Sequence, residues 1–194
     1  MASKIKVDEL ETGNGSGTIA LQNQLSGMTT ASLPTLTSAE MPSGSVLQIV
    51  NFHTGAVATG TTAIPFDDTI PQITEGDEYM TLAITPTNSS NKLLISIVAA
   101  VNSTASNAVL TGALFQDSTA NALAAQQTPR DKSTNAPSLA VIEHVMVAGT
   151  TSATTFRFRM GALGSATNTF NGSGGGRLYG GVANSSITIT EYKA

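Results

Sequence analysis

The chain has neither cysteine nor tryptophan in its 194 residues, and only 11% of its side chains are charged. Without Cys, disulfides and thiolate metal sites are excluded, and an oxidising compartment is neither required nor ruled out. Without Trp, and with 5% aromatic residues, the chain has little with which to line a sugar-binding cleft with stacking rings. The charge content sits well below the roughly 25% usual in globular domains. Nine basic residues against thirteen acidic ones give a net charge of −4. That argues against nucleic-acid binding, which relies on clustered Lys and Arg. The longest apolar run, Leu93–Val101, is interrupted by Ser96 and is far shorter than the ~20 residues of a membrane-crossing helix, so no membrane insertion is expected. Met1-Ala2-Ser3-Lys4-Ile5-Lys6 has no apolar core of a signal peptide. A soluble protein made in the cytoplasm of the producing cell is therefore the expectation.

What is present is Thr, Ser, Ala, Gly and Val. At 40% apolar residues the chain is too apolar for a disordered polyampholyte. Thr and Val are stiff at χ1 and fit a pleated surface, which favours β structure. The hydrophobic pattern predicts an all-β protein, an antiparallel β-sandwich, with three parts: an arm over 1–25, a linker over 26–44 and the sandwich over 45–194. Within the arm, residues 4–22 read as a β-hairpin. Ile5 and Val7 alternate with polar neighbours, Ile19 and Leu21 do so on the return, and Gly13-Asn14-Gly15-Ser16-Gly17 supplies the turn. A two-stranded ribbon is marginal alone in water, so the arm is expected to pack against another copy or another protein. Its interface candidates are Ile5, Val7, Leu10, Ile19 and Leu21, continued in the linker region by Leu25, Met28 and Leu33. Pro34 and Pro42 forbid a regular ladder there, and the spaced apolar anchors suggest a strap lying on a surface.

From Val46 onward, strand-like runs recur at sandwich spacing: 46–52, 57–64, 78–85, 92–101, 108–115, 138–148, 154–162, 176–182 and 186–192. Phe156-Arg157-Phe158-Arg159-Met160 is the cleanest alternation, with the aromatic and Met side chains inward and both arginines outward. Leu93–Val101 is apolar on both faces, which predicts a central strand covered on both sides or placed at a subunit interface. Ser118–Gln127 reads as one or two helical turns or as a loop. Polar loops are expected over 102–107, 116–137 and 164–176.

The segment from Phe66 to Tyr79 holds five acids, Asp67, Asp68, Glu75, Asp77 and Glu78, and no base. Adjacent acids in an extended chain point apart, which does not suit the paired carboxylates of glycoside cleavage. The Ca²⁺-loop spacing is absent, so the run reads as a solvated acidic loop, with no metal and no cofactor expected. Arg157, Arg159 and Arg177 are the cations available to these acids, either as ion-pair partners within or between subunits or as solubility charges. The two histidines, His53 and His144, have no partner spacing of a catalytic triad. His144 and Glu143 are neighbours on a predicted strand and point to opposite faces. No G-x-S-x-G elbow and no phosphate-binding loop occur, so no catalytic residue is assigned and the protein is not expected to be an enzyme.

Three stretches carry a family resemblance: Ser3–Ile19; Ile64-Pro65-Phe66-Asp67-Asp68-Thr69-Ile70-Pro71-Gln72 continuing to Ile84–Leu93; and Ser185–Tyr192. Together they resemble small β-rich virion structural proteins of tailed bacteriophages. The resemblance implies a homotrimeric β-sandwich or jelly roll on the virion exterior, attached through its N-terminal arm, with no catalytic residues to transfer. The leading expectation is a tail-fibre or receptor-binding component, whose partners are other virion proteins and a host surface receptor. The second is a capsid decoration (cement) protein clamping major capsid subunits. A sugar-cleaving or sugar-binding domain is a weaker third, disfavoured by the missing Trp and cleft acids.

Overall fold

Alternation of buried and open side chains builds the strands of this protein, for which a computed structural model describes residues 37–104, 109–128, 136–164 and 166–194. The strands are β1 (Val46–Thr54), β2 (Ala58–Gly60), β3 (Asp77–Ile84), β4 (Lys92–Ser103), β5 (Leu110–Gln116), β6 (Ala124–Thr128), β7 (Ser138–Val147), β8 (Thr154–Ala162), β9 (Asn168–Phe170), β10 (Gly172–Ser173), β11 (Gly176–Arg177) and β12 (Ser185–Tyr192). Among the described residues, a 3-10 turn spans Tyr179–Gly181. The all-β antiparallel expectation holds throughout the described residues.

Four antiparallel pairs are nested along the chain: β1 with β12, β3 with β8, β4 with β7 and β5 with β6. Pairing of β12 to β4 and of β8 to β5 joins them into two sheets, ordered β1-β12-β4-β7 and β3-β8-β5-β6. A long ribbon of nested pairs rolled into two facing sheets is the jelly-roll arrangement. The short β9 extends the first sheet beyond the end of β12 by pairing with β4, and β2 pairs with β9.

The core fills the space between the sheets. Leu93, Ile95, Ile97 and Ala99 of β4, with Ile187 and Ile189 of β12, face Phe156, Phe158 and Met160 of β8 and Leu114 of β5; all are fully buried. In β8 the intervening Arg157 and Arg159 turn outward, as the alternation requires. Tyr79 stacks on Phe170 with ring centroids 5.2 Å apart, which ties β9 to the opposite sheet.

The second sheet is also covered on its outer side. The chain between β2 and β3 crosses over it, and Ile64 and Ile73 join Ala113, Phe115 and Ala122 in a separate apolar cluster. Gly161 permits this crossing, because a Cβ there would lie 2.6 Å from the Ile64 nitrogen, which donates to the Ala162 carbonyl at 3.1 Å.

Four local expectations are corrected. The strand expected at 57–64 shortens to Ala58–Gly60, because residues 61–64 leave the first sheet to cross the second. Of the helical turns or loop expected at 118–127, the loop holds for 118–123, and the rest gives way to β6, whose Ala and Gln side chains accept strand geometry because the edge of β5 is there to pair with. The 164–176 loop contains β9 and β10. The strand expected at 176–182 ends at Arg177, since Tyr179, Gly180 and Gly181 all take positive φ, which no strand accommodates. The arm (1–25) and most of the linker (26–44) lie outside the described residues; residues 38–44 form turns that lead into β1.

Phe158→Ala is expected to lower the unfolding free energy by about 3–5 kcal/mol. Urea denaturation checks this, and a loss under about 1 kcal/mol would contradict the ring's central place in the core.

Candidate interaction surface

The acidic run and the arginines meet on one face, but in a particular way. β3 and β8 pair so that Glu78 lies opposite Arg159. The Arg157 guanidinium donates to both Glu78 carboxylate oxygens at 3.1 Å, and Arg159 lies 3.6 Å from one of them. Arg159 also donates to the backbone carbonyls of Glu75 and Gly76, at 3.0 and 2.7 Å, and Arg157 to that of Asp117 at 3.1 Å. These are intrachain contacts that pin the crossing segment to β8. Arg157 and Glu78 keep about a third of their side-chain surface in water, so the pair contributes about 0–1 kcal/mol.

The remaining acids hold turns. Asp77 accepts from the Thr62 backbone and hydroxyl, Glu75 from the Gln72 backbone, and Asp67 from the Thr69 hydroxyl and backbone. The Thr69 hydrogen bonds hold the Asp67 carboxyl below its usual range. Asp68 is exposed on the same loop. Arg177 sits exposed on β11, and no ion pair joins it to these acids among the described residues. His144 and Glu143 point to opposite faces of β7, half-buried and exposed respectively, and His53 lies on the exposed side of β1. The arm candidates Ile5, Val7, Leu10, Ile19 and Leu21, with Leu25, Met28 and Leu33, lie outside the described residues.

Sequence reasoning did not single out Glu191, although its parity with Ile187 and Ile189 on β12 already places it inward. Its carboxylate is fully buried and accepts four hydrogen bonds: from Gln48 at 2.6 Å, Asn91 at 2.6 Å, and the Thr87 backbone and hydroxyl at 2.8 and 2.9 Å. Burial pushes its pKa up, but the hydrogen bonds from Asn91, Gln48 and Thr87 outweigh it and hold the group below its usual range. Two positions on, the Lys193 ammonium donates to the Ala39 and Met41 carbonyls, while its backbone exchanges hydrogen bonds with Gly44 and Ser45. This corner ties the entry to β1, the loop before β4 and the end of β12 into one polar knot.

The feature with consequences for function is the outer face of the first sheet. The side chains of β4 that alternate with its core residues are Leu94, Ser96, Val98 and Ala100. On β7 they are Leu139, Val141, Glu143, Val145 and Val147, and all five are exposed. Nothing among the described residues lies over this face as the crossing segment lies over the other sheet. At one end it runs into a groove of about 290 Å³ whose lining includes Ala100, Pro137, Leu139, Leu178, Tyr179 and Asn184. Tyr179 and Val182 stand beside it with more than three quarters of their surface in water. Contiguous exposed apolar patches are, as a general rule, features of interaction surfaces. The central-strand expectation for Leu93–Val101 therefore holds for the sheet, and the strand's second face is left open by the described residues.

No protein-family model matches the chain, and no curated protein is similar to it. Among solved structures, the chain is similar to dimeric latent PorU from Porphyromonas gingivalis (6% identity, TM-score 0.40, 79% of this chain and 14% of that one). It is similar to a family GH115 4-O-methyl-alpha-glucuronidase (9% identity, TM-score 0.37, 82% and 19%). A third is the infectious bursal disease virus VP2 subviral particle (10% identity, TM-score 0.35, 76% and 38%). The chain thus spans well under half the length of each neighbour, and at these low scores the neighbours' activities belong to those proteins.

Because the folded state holds Glu191 below its usual range, its stabilising contribution is complete above the range of a free glutamate, about pH 4.3. It is lost as pH falls through the lower folded value. Glu191→Gln is expected to cost about 2–3 kcal/mol at pH 7 by setting an amide donor against donors. The variant should also show a smaller drop in stability between pH 6 and pH 3 than the native chain does. Equal acid sensitivity in the two proteins would contradict the assignment.

Proposed function

We propose that this chain is a non-enzymatic structural protein of a bacteriophage virion, acting as a homotrimeric tail-fibre or receptor-binding component attached through its N-terminal arm. The observation that carries this reading is a jelly roll with one sheet armoured on both sides and the other faced outward with aliphatic side chains. Such a fold is a rigid block with a surface built to be covered, and jelly rolls serve in capsid and lectin domains. Several charged groups of the described residues are spent within the fold: Glu78 on Arg157, Asp77 on Thr62, Glu191 on Asn91, Gln48 and Thr87. Two of the three stretches that resemble tailed-phage virion proteins fall within the described residues. One is the crossing segment that covers the second sheet, and another is β12, the strand that closes the roll against β1.

A second reading, capsid decoration, draws on the same apolar face, which would bury lattice surface on the head. The knot at Lys193, which fixes residues 39–45 to the end of β12, would transmit load from an arm clamped between coat subunits.

Immunogold labelling of virions with antibody raised against the purified chain separates the readings. Gold on the tail, with purified protein that binds host cells and blocks infection, supports the fibre. Gold distributed over the head, with protein that strengthens bare heads, supports decoration. Particles that carry no label overturn both.

A further inference from the structure

The register of the first sheet sets its outward side chains in rows. Ile49, Thr190, Leu94 and Val145 form one row across β1, β12, β4 and β7. The next is Asn51, Thr188, Ser96 and Glu143, and the third is His53, Ser186, Val98 and Val141. The most exposed aliphatic residues stand at the two opposite margins: Ile49 at 61% on β1, and Leu139, Val141, Val145 and Val147 at 63, 49, 60 and 55% on β7. The margins also differ chemically. The acid of the face, Glu143, is on the β7 side, while the imidazole and amide, His53 and Asn51, are on the β1 side.

We propose that the outer face of the β1-β12-β4-β7 sheet is the self-association surface of this protein. Three copies turn this face to a common axis running along the strands, with the β7 margin of one copy against the β1 margin of the next. The proposal rests on the trimeric reading above and names the surface that makes the trimer.

Three observations carry it. The first is size. The exposed aliphatic residues make an apolar patch on the order of 500 Å², at the upper end of what a monomer shows. With the polar residues between them, the face approaches the ~800 Å² per partner of a stable interface. The second is complementarity. Margin-to-margin contact buries Ile49 against Val145 within one row and brings Glu143 of one copy near His53 of the next, so the acid meets an imidazole that can donate to it. The third is width. Four strands about 4.8 Å apart make a face roughly 14–19 Å across, and three such faces closing a triangular prism lie about 4–5.5 Å from the axis. Sheets that pack face to face are ~10 Å apart, or about 5 Å from their midplane. A four-stranded face therefore closes around the axis with its side chains filling the centre.

The absence of native cysteine makes a direct test clean. Ile49→Cys and Val145→Cys in one full-length chain sit at opposite margins of the same sheet, about 14 Å apart, too far for a disulfide within the chain. Under mild oxidation the double variant is expected to form a covalent trimer on non-reducing gels, and each single variant no trimer. The native chain should have three times the monomer mass by sedimentation equilibrium, and Val141→Glu with Val145→Glu should reduce it to monomer. Ile70→Glu, an equally exposed apolar position on the acidic loop, should leave the trimer intact, and circular dichroism should show all variants folded. A native monomer, a covalent dimer without trimer, or a trimer that survives both glutamates without cross-linking would each overturn the proposal. Labelling of virions is independent of these outcomes, so failure of the interface and failure of the virion reading are told apart.

Discussion

Everything in this protein hangs on the central strand β4, which is hydrogen-bonded along both edges and so has only its two faces left to satisfy. Its partners are β7 on one side and β12, then β9, on the other. One face, from Leu93 to Val101, is sealed against the second sheet. The other, from Leu94 to Ala100, is apolar as well, yet no segment of the described chain lies over it. A sheet edge left open invites strand addition. An open face with saturated edges invites packing instead, because the backbone offers nothing and the side chains offer only surface to be removed from water.

The contrast with the second sheet sharpens the point. There the chain spends a whole crossing segment on covering β5 and β8. It anchors that segment with Ile64 and Ile73 from above and with the hydrogen bonds from Arg159 to the Glu75 and Gly76 carbonyls at its side. The same chain leaves five β7 side chains and Ile49 in water on the first sheet. Among the described residues, one sheet is covered on both faces and the other on its inner face alone.

Glu191 is a buried carboxylate with no cation paired to it among the described residues, held by four donors from two stretches of chain, β1 and the loop before β4. It stiffens the corner where β1 begins and β12 ends, because a charge stripped of water costs far more if any of its donors moves away. Lys193, next to it, fixes residues 39–45, so whatever precedes those residues is delivered to the jelly roll at a defined point.

The sequence by itself determined the class of fold and the inward set of the cleanest strands, because a period of two needs no partner to be visible. Phe156, Phe158 and Met160 announce their side of β8, and Ile187 and Ile189 announce theirs on β12. It also marked the acidic run from Asp67 as a loop, which holds as far as Gly76, before β3 begins at Asp77. It did not reveal β6 or β9, whose Ala, Gln, Asn and Thr residues take strand geometry only when an edge is supplied from elsewhere in the chain. Nor did it pair Glu78 with Arg157, or draw attention to Glu191 among the isoleucines of its own face. Only the tertiary structure decided which of two apolar faces of β4 is core and which is surface. Alternation along a strand assigns residues to sides, but what covers each side is set by contacts between segments a hundred residues apart.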